Sequence, residues 1–304
     1  MVKINFNLKL FDTHIDKIGI ALKKTIIKSL YLHSFDDRYI AECLQYLSNE
    51  NEIKNLLSAN VEQLKLYIDF FAKEFSTSVE KNSSLNKILR DEIFEKEYNN
   101  WGGRKTYGAY SFVKSLGLES CPYCNRNYTF VVDSKNGKLR PEIDHFYPKS
   151  IYPFLAMSFY NLIPSCSICN HTKSDEVKES LENPYEINAT SYTFTYRPTT
   201  VNFSVVEKEK YNFDNFQIAL HGNQANIELF KLEELYKQHK DIVLELLIKK
   251  AYYPQSYIEE LSKFGFSKDE VYRYLFSNYN KDEDLHKRPL SKLIKDISIE
   301  LGLA

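Results

Sequence analysis

Four of the five cysteines form two close pairs, and this spacing restricts the possible folds more than any other feature of the chain. The pairs are Cys121-Pro-Tyr-Cys124 and Cys166-Ser-Ile-Cys169. Each C-x2-C turn presents two thiolates, so both together offer the tetrahedral sulfur set of a structural Zn²⁺ ion. A redox C-x2-C motif would not need the second pair. The sequence therefore predicts one closed structural zinc site, ligated by Cys121, Cys124, Cys166 and Cys169.

The composition excludes several classes of protein. The chain has 304 residues, 43% of them hydrophobic, with 40 Lys and Arg against 41 Asp and Glu. Wholesale disorder, a fibrous rod and a globally basic chromatin-type protein are excluded. The apolar run at 242–248 is interrupted by Glu245 and is far shorter than the ~18 residues of a membrane span. The first ten residues lack the apolar block of a signal peptide. We expect a cytoplasmic location without membrane contact.

Three regions differ in their residue pattern. Residues 1–105 have helical periodicity, 106–188 contain the cysteine pairs, and 189–304 contain short strands followed by helices. The fifth cysteine, Cys43, shares an apolar stripe with Ile40, Leu44 and Leu47, so we expect a buried small hydrophobic side chain rather than a functional thiol.

Local patterns predict individual elements in the second and third regions. In the second, we expect strands over 126–133 and 138–145, joined by a turn at Asn136-Gly137, and a helix from 165 that Asn183-Pro184 ends. In the third, alternation predicts strands over 192–196 and 201–205. One long helix is expected over 232–246, and a last helix lies between Pro289 and Gly302.

A second motif lies between and beside the cysteine pairs. It comprises Asp144-His145-x3-Lys149, Asn161-Leu-x-Pro and Cys169-Asn170-x2-Lys173. Over residues 118–183 this pattern resembles an HNH nuclease of the ββα-metal class, in the variant whose zinc knuckles bracket the catalytic strands. The resemblance implies a mainly helical α+β fold, with a zinc-stapled ββα-metal core flanked by N- and C-terminal helical regions.

The chemistry of phosphodiester cleavage explains these residue types. It needs a base that activates water and a cation that stabilises the departing oxygen. His145 is the predicted base, and Asp144 is a predicted ligand of a catalytic Mg²⁺ or Mn²⁺ ion, which prefers oxygen ligands. The resemblance implies that Asn170 supplies a second ligand oxygen and that Asn161 orients the loop and the histidine. His171, about 100° round the helix from Asn170, is expected to face solvent or nucleic acid rather than the metal.

Adjacent strand residues point to opposite faces, so Asp144 and His145 cannot both address one site from within a regular strand. We infer that the strand ends there. Phosphate contacts are predicted at four basic residues, for which a solvated surface position is the alternative: Lys173, Lys149, Arg126 and Arg140. For Tyr123, Tyr128 and Tyr147, internal packing is favoured over stacking on bases.

Segments outside the motif carry a broader resemblance. Two segments, Phe230-Lys-Leu-Glu-Glu-Leu-Tyr-x2-His239 and Lys287-Arg-Pro-Leu-Ser-Lys292-x3-Asp296-Ile, resemble the PtuB-like HNH subunits of Septu-type and retron-associated anti-phage defence systems. This resemblance implies an ABC-type ATPase partner (PtuA-like), or a retron reverse transcriptase with its RNA–DNA. The chain has no Walker-type glycine loop, so any nucleotide dependence would come from elsewhere.

The leading hypothesis is therefore an endonuclease acting on DNA, with RNA, including tRNA, as the alternative substrate. The rival from another class is a zinc-stabilised nucleic-acid-binding or scaffold subunit without catalysis. A redox or transcription-factor zinc protein is disfavoured, because it would leave Asp144, His145 and Asn161 without a role.

Overall fold

The computed structural model describes residues 1–33, 37–135, 137–177, 180–199, 215–253, 259–261 and 263–303. Within these ranges the chain is mainly helical, with short antiparallel strand pairs, so the predicted α+β class is confirmed. Among the helices described, none is both long enough and apolar enough to cross a bilayer.

The described helices and strands follow the predicted order of helical, mixed and again mainly helical regions. The α-helices are α1 Leu8–His33, α2 Arg38–Ser48, α3 Glu50–Ser58, α4 Val61–Glu74, α5 Ser84–Lys87, α6 Glu95–Gly102, α7 Ala109–Leu116, α8 Ser167–Lys173, α9 Gln224–Leu229, α10 Leu232–Lys237, α11 Lys240–Tyr252, α12 Lys268–Phe276 and α13 Ser291–Glu300. A π-helix, Ile88–Phe94, lies between α5 and α6. The strands are β1 Val132–Ser134, β2 Gly137–Leu139, β3 Glu142–His145, β4 Leu162–Ser165, β5 Thr193–Pro198 and β6 Phe216–His221.

The chain divides into two compact units. We call Asn5–Leu118 with Thr129–Val177 the central unit, and Met1–Ile4 with Glu119–Tyr128 and Lys178–Ala304 the terminal unit. The division into three regions at 105 and 188 stays a prediction.

The core of the central unit forms around α1. Ile15, Ile18, Leu22 and Ile26 recur at helical spacing and are buried, because α2, α3 and the π-helix pack along this face. Cys43 on α2 is fully buried, and burial raises the pKa of its thiol, which confirms the prediction of a small core hydrophobe.

A strand pair and a helix in the central unit form a ββα arrangement. β3 and β4 are antiparallel, with Glu142 opposite Ser165 and His145 opposite Leu162. α8 begins two residues after β4, and the N–H of Asn170 bonds to the carbonyl of Cys166 in its first turn. The short connection places one face of α8 against β3.

The predicted strands over 126–133 and 138–145 are wrong in their extents. The first residues of the first predicted strand belong instead to the cysteine turn, because the N–H of Cys121 bonds to the carbonyl of Asn127. The second strand divides at Pro141, which has no N–H to donate, so β2 pairs with β1 while β3 pairs with β4. Asn136, half of the predicted turn, lies outside the described residues.

Two predicted helices are also wrong in length. The helix expected to reach Asn183 ends at Lys173, because Ser174 has a φ of 47° and leaves the right-handed helical region. The long helix over 232–246 is α10 and α11, which separate where His239 turns away from helical geometry. The strand predicted over 201–205 lies outside the described residues, and β5 pairs with β6.

The terminal unit has its own core around the β5–β6 hairpin and α13. Asp296 on α13 accepts a hydrogen bond from the Phe194 N–H on β5 (2.9 Å), and Lys292 bonds to Asp296 one turn earlier (2.6 Å). These buried polar groups partner one another, so α13 packs on the hairpin without an unpaired charge.

Candidate functional site

The four predicted zinc ligands come together in space. The Sγ atoms of Cys121, Cys124, Cys166 and Cys169 all lie within 4.8 Å of one another, and all four residues are buried. Tetrahedral Zn–S bonds of about 2.3 Å place sulfur atoms about 3.8 Å apart, so this set fits a structural zinc ion. Four thiolates complete the coordination, and such a site leaves no position for a substrate.

The first cysteine turn is anchored by a residue that the sequence analysis missed. Asn125 has a φ of 48°, a left-handed conformation that asparagine tolerates, and its side chain is fully buried. Its Oδ1 accepts bonds from the Ser291 hydroxyl and the Lys292 N–H (both 3.1 Å) at the start of α13. Its position directly after Cys124, the second cysteine of the turn, is the sequence feature that could have identified it.

A cleft of about 640 Å³ opens in the central unit beside the end of β3. Its walls come from the π-helix, α6, β3 and its following loop, and α8. The lining residues are Arg90, Glu95, Tyr98, Arg140, Glu142, Ile143, Asp144, His145, Pro148, Lys149, Ser150, Asn170, His171, Ser174 and Asp175. The cleft therefore brings together the predicted base, both predicted metal ligands and two of the predicted basic contacts.

Asp144 and His145 are the last two residues of β3, paired with Ile163 and Leu162 of β4. β3 ends at His145, as the sequence analysis inferred. Beyond it the N–H of Phe146 bonds to the carbonyl of Asn161 (2.9 Å), which holds the first loop residue against the start of β4. Both side chains are nearly buried and both line the cleft.

Contacts around His145 fix its tautomer. Its Nε2 lies 3.0 Å from the carbonyl oxygen of Ala156, which can only accept, so Nε2 carries the proton and Nδ1 is the basic nitrogen. The ring of Tyr98 on α6 packs edge-on against the imidazole, with centroids 4.6 Å apart. Burial is the largest cause that lowers the pKa of His145, and the positive charge of Lys149 is the second. Together they bring this pKa to about 3. The ring is therefore neutral at pH 7.

Asn161 holds the loop that carries Ala156. Its side chain is fully buried and bonds the backbone at two points of the loop, accepting from the Tyr147 N–H (2.7 Å) and donating to the Leu155 carbonyl (2.9 Å). Because Ala156 in turn binds His145, these bonds set the position of the imidazole. The catalytic orienting role that the resemblance implies for Asn161 stays a prediction.

Lys173 lies beneath Asp144 rather than on the cleft surface. It is fully buried, and its Nζ bonds to Asp144 Oδ1 (3.2 Å) and to the carbonyl of His145 (2.7 Å). An ammonium in this position offsets the charge of a carboxylate that is only 4% exposed. Its predicted phosphate contact stays a prediction.

We expect Lys173→Met to destabilise the protein by about 3–5 kcal/mol, because the Asp144 carboxylate would stay buried without its cation. Urea unfolding followed by circular dichroism measures the change. Lys54→Met is the matched control, since Lys54 is 45% exposed and pairs with Glu50 at the surface, where we expect no measurable change in the unfolding midpoint. Equal unfolding midpoints for both variants would contradict this role.

Glu142 is a cleft carboxylate to which the sequence analysis gave no role. It lies two residues before Asp144 on β3, and residues at this spacing share a face, which was the available signal. Its Oε2 accepts a bond from Asn170 Nδ2 (2.6 Å), so that bond leaves the Asn170 amide oxygen as an acceptor. His171 is 77% exposed, with Nε2 3.7 Å from Glu142 Oε1, which agrees with the expected solvent-facing position.

The remaining predicted contacts are in different places. Arg140 and Lys149 line the cleft, whereas Arg126, in the terminal unit, donates from Nε to His239 Nε2 (2.8 Å). Tyr123 is buried and stacks on Phe230, with centroids 4.4 Å apart, so the preference for packing is confirmed there. Tyr147 is also buried, and Tyr128 is exposed.

Comparison with known proteins gives one informative similarity. The chain is 30% identical over 112 residues to the Septu protein PtuB of Bacillus thuringiensis, an alignment that covers 35% of this chain and 41% of that relative. The chain thus spans about two fifths of the relative's length. No protein-family model matches the chain, and no solved structure matches it.

Proposed function

We propose that this protein is a metal-dependent HNH endonuclease that hydrolyses phosphodiester bonds of nucleic acid. The observation that carries the proposal is the cleft itself, where the side chains of Asp144, His145 and Asn170 meet two cationic side chains, Arg140 and Lys149. Hydrolysis of a phosphodiester requires this combination of a base, hard oxygen ligands and positive charge.

In this proposal His145 is the general base. The bond from Nε2 to the Ala156 carbonyl fixes the ring, so Nδ1 takes the proton from the attacking water. A pKa near 3 makes the imidazole a weak base in the free protein. The negative charge of a bound phosphate partly cancels the positive charge of the Lys149 and Lys173 ammonium groups, and this contribution raises the pKa of His145.

The cleft oxygens fit a hard divalent cation. Asp144 contributes a carboxylate and Asn170 an amide oxygen, with the Glu142 carboxylate beside them, and Mg²⁺ and Mn²⁺ prefer such donors to sulfur or nitrogen. We assign the catalytic ion to Asp144 and Asn170. When bound, it supplies positive charge at the oxygen that leaves phosphorus.

DNA is the proposed substrate and RNA the alternative, since no residue described above distinguishes a 2′-hydroxyl. The similarity to a Septu protein supports a role in anti-phage defence and an ATPase partner of the PtuA type. A retron reverse transcriptase with its RNA–DNA is the second proposed partner. The chain lacks a Walker-type loop, so nucleotide hydrolysis belongs to the partner.

A cleavage assay tests the proposed activity. The purified zinc-loaded protein is incubated with supercoiled plasmid and with total RNA, in Mg²⁺, in Mn²⁺ or without an added divalent ion, with and without the ATPase. We expect nicking or linearisation of the plasmid only when Mg²⁺ or Mn²⁺ is added. Intact nucleic acid under every condition would refute the nuclease assignment.

The contact between Lys173 and Asp144 favours a second candidate, a zinc-stabilised nucleic-acid-binding or scaffold subunit without catalysis. The ammonium already neutralises one oxygen of the proposed metal ligand, which lowers the attraction of this carboxylate for a cation. This candidate predicts binding of plasmid or RNA without cleavage, so the same assay, read also by gel shift, separates the two functions.

A further inference from the structure

One wall of the cleft comes from outside the predicted nuclease motif. Arg90 belongs to the π-helix, Glu95 begins α6, and both line the cleft together with Lys149 from the loop after β3. The motif spans residues 118–183, and neither Arg90 nor Glu95 belongs to it.

The π-helix accounts for the shared position of Arg90 and Glu95. The N–H of Glu95 bonds to the carbonyl of Arg90, five residues earlier. In an α-helix, with 100° per residue, side chains five residues apart point about 140° away from each other. The wider turn of a π-helix brings two such side chains closer to the same face of the helix. Arg90 Nε lies 3.9 Å from Glu95 Oε2 as a result.

The Glu95 carboxylate is shared between two cations. It contacts Arg90 and also bonds to Lys149 Nζ, and the three side chains are only 21–29% exposed. Asp91 binds the Nε and Nη2 edge of the Arg90 guanidinium through two bonds, at 2.8 and 3.1 Å, and Glu95 approaches the same Nε at a longer distance. Partly buried cations need an anion beside them. In the free protein Glu95 is that anion for Lys149, and Asp91 together with the more distant Glu95 supplies it for Arg90.

This cluster adjoins the proposed base. The Lys149 ammonium lies 5.7 Å from the centre of the Tyr98 ring, and the same ring packs against His145. An anion held by Arg90 and Lys149 would therefore lie beside the phosphate that His145 addresses.

We propose that Arg90 and Lys149 form a phosphate-binding subsite for the nucleic-acid backbone, in which the Glu95 carboxylate holds the anion position until a phosphate displaces it. The inference rests on the proposed function, since it names a substrate contact of that site. Guanidinium and ammonium groups each form charge-assisted hydrogen bonds to the oxygens of carboxylates and of phosphates. Entry of the backbone thus exchanges one anion for another, and the cations stay paired throughout.

Binding without cleavage tests this subsite. Fluorescence anisotropy of labelled short duplex DNA, single-stranded DNA and RNA is measured at several salt concentrations, in the His145→Ala background without added divalent ions. We expect Glu95→Gln to tighten binding about three- to tenfold, because the competing anion is removed. Arg90→Gln should weaken binding about five- to tenfold and reduce the slope of log K against log salt by about 1, whereas Arg90→Lys keeps most of the affinity.

The chain offers matched controls outside the cleft. Glu50 is likewise a carboxylate shared by two cations, Lys23 (2.7 Å) and Lys54 (3.0 Å), so Glu50→Gln repeats the charge change of Glu95→Gln. Arg38→Gln, at a side chain that is 93% exposed, repeats that of Arg90→Gln. Thermal melts confirm that each variant is folded before its affinity is compared.

The outcomes separate this proposal from the proposed function. If Glu95→Gln and Arg90→Gln shift binding no more than their controls, or if none of the three probes binds, the subsite is refuted, whether or not the unaltered chain cleaves. If the two shifts occur but the unaltered chain cleaves nothing in Mg²⁺ or Mn²⁺, the phosphate subsite stands and the nuclease proposal falls.

Discussion

His145→Ala is expected to lower the rate of plasmid cleavage by about 10² to 10⁴-fold, the usual contribution of a general base. The Nδ1 atom is the proposed proton acceptor, and alanine provides no substitute for it. The ring also contacts Tyr98 and the Ala156 carbonyl, so its loss leaves a small buried gap. We therefore expect a modest loss of stability beside a large loss of rate. Single-turnover cleavage in Mg²⁺ measures the effect.

His221→Ala is the matched control for this experiment, because His221 is an exposed histidine on β6 outside the cleft. Its cleavage rate should equal that of the unaltered chain. The zinc content and the unfolding midpoint of His145→Ala should show that the fold persists. Cleavage by the folded His145→Ala variant at an undiminished rate would contradict the assignment of the base.

Cys124→Ser is expected to release the structural zinc and to lower the melting temperature by about 10 °C or more, at 2–4 °C per kcal/mol for a chain of this size. A structural zinc contributes its binding free energy to folding, and three thiolates with a hydroxyl hold the ion far less tightly than four thiolates. Mass spectrometry of bound metal and a thermal melt measure the two effects.

Cys43→Ser makes the same chemical change at the cysteine on α2, which is fully buried and does not belong to the group of four clustered sulfurs. It should retain one zinc per chain and lose about 1 kcal/mol, since a hydroxyl replaces a thiol in an apolar position. If Cys124→Ser keeps its zinc, or if both variants lose it equally, the four-cysteine assignment is wrong.

The accuracy of sequence-based prediction differs between the zinc cluster and the strands for a physical reason. Two C-x2-C turns limit the geometry so tightly that the ligand set followed from spacing alone, and the structure brings the four sulfurs together. The extent of a strand depends instead on which backbone groups a partner strand satisfies. Pro141 cannot donate a backbone hydrogen bond, and Asn127 bonds to Cys121 within the cysteine turn. Both strands predicted from the alternating pattern are therefore shorter in the structure.

The sequence by itself determined the residue types that carry the proposed chemistry, namely the four cysteines, Asp144, His145, Asn161 and Asn170. Only the tertiary structure decided what surrounds them. It buries Lys173 under Asp144, ties His145 Nε2 to a carbonyl and brings Arg90 and Glu95 into the cleft through a π-helical turn. Burial and charge pairing depend on which faces of distant segments pack together, and the local spacing of residues does not encode that choice.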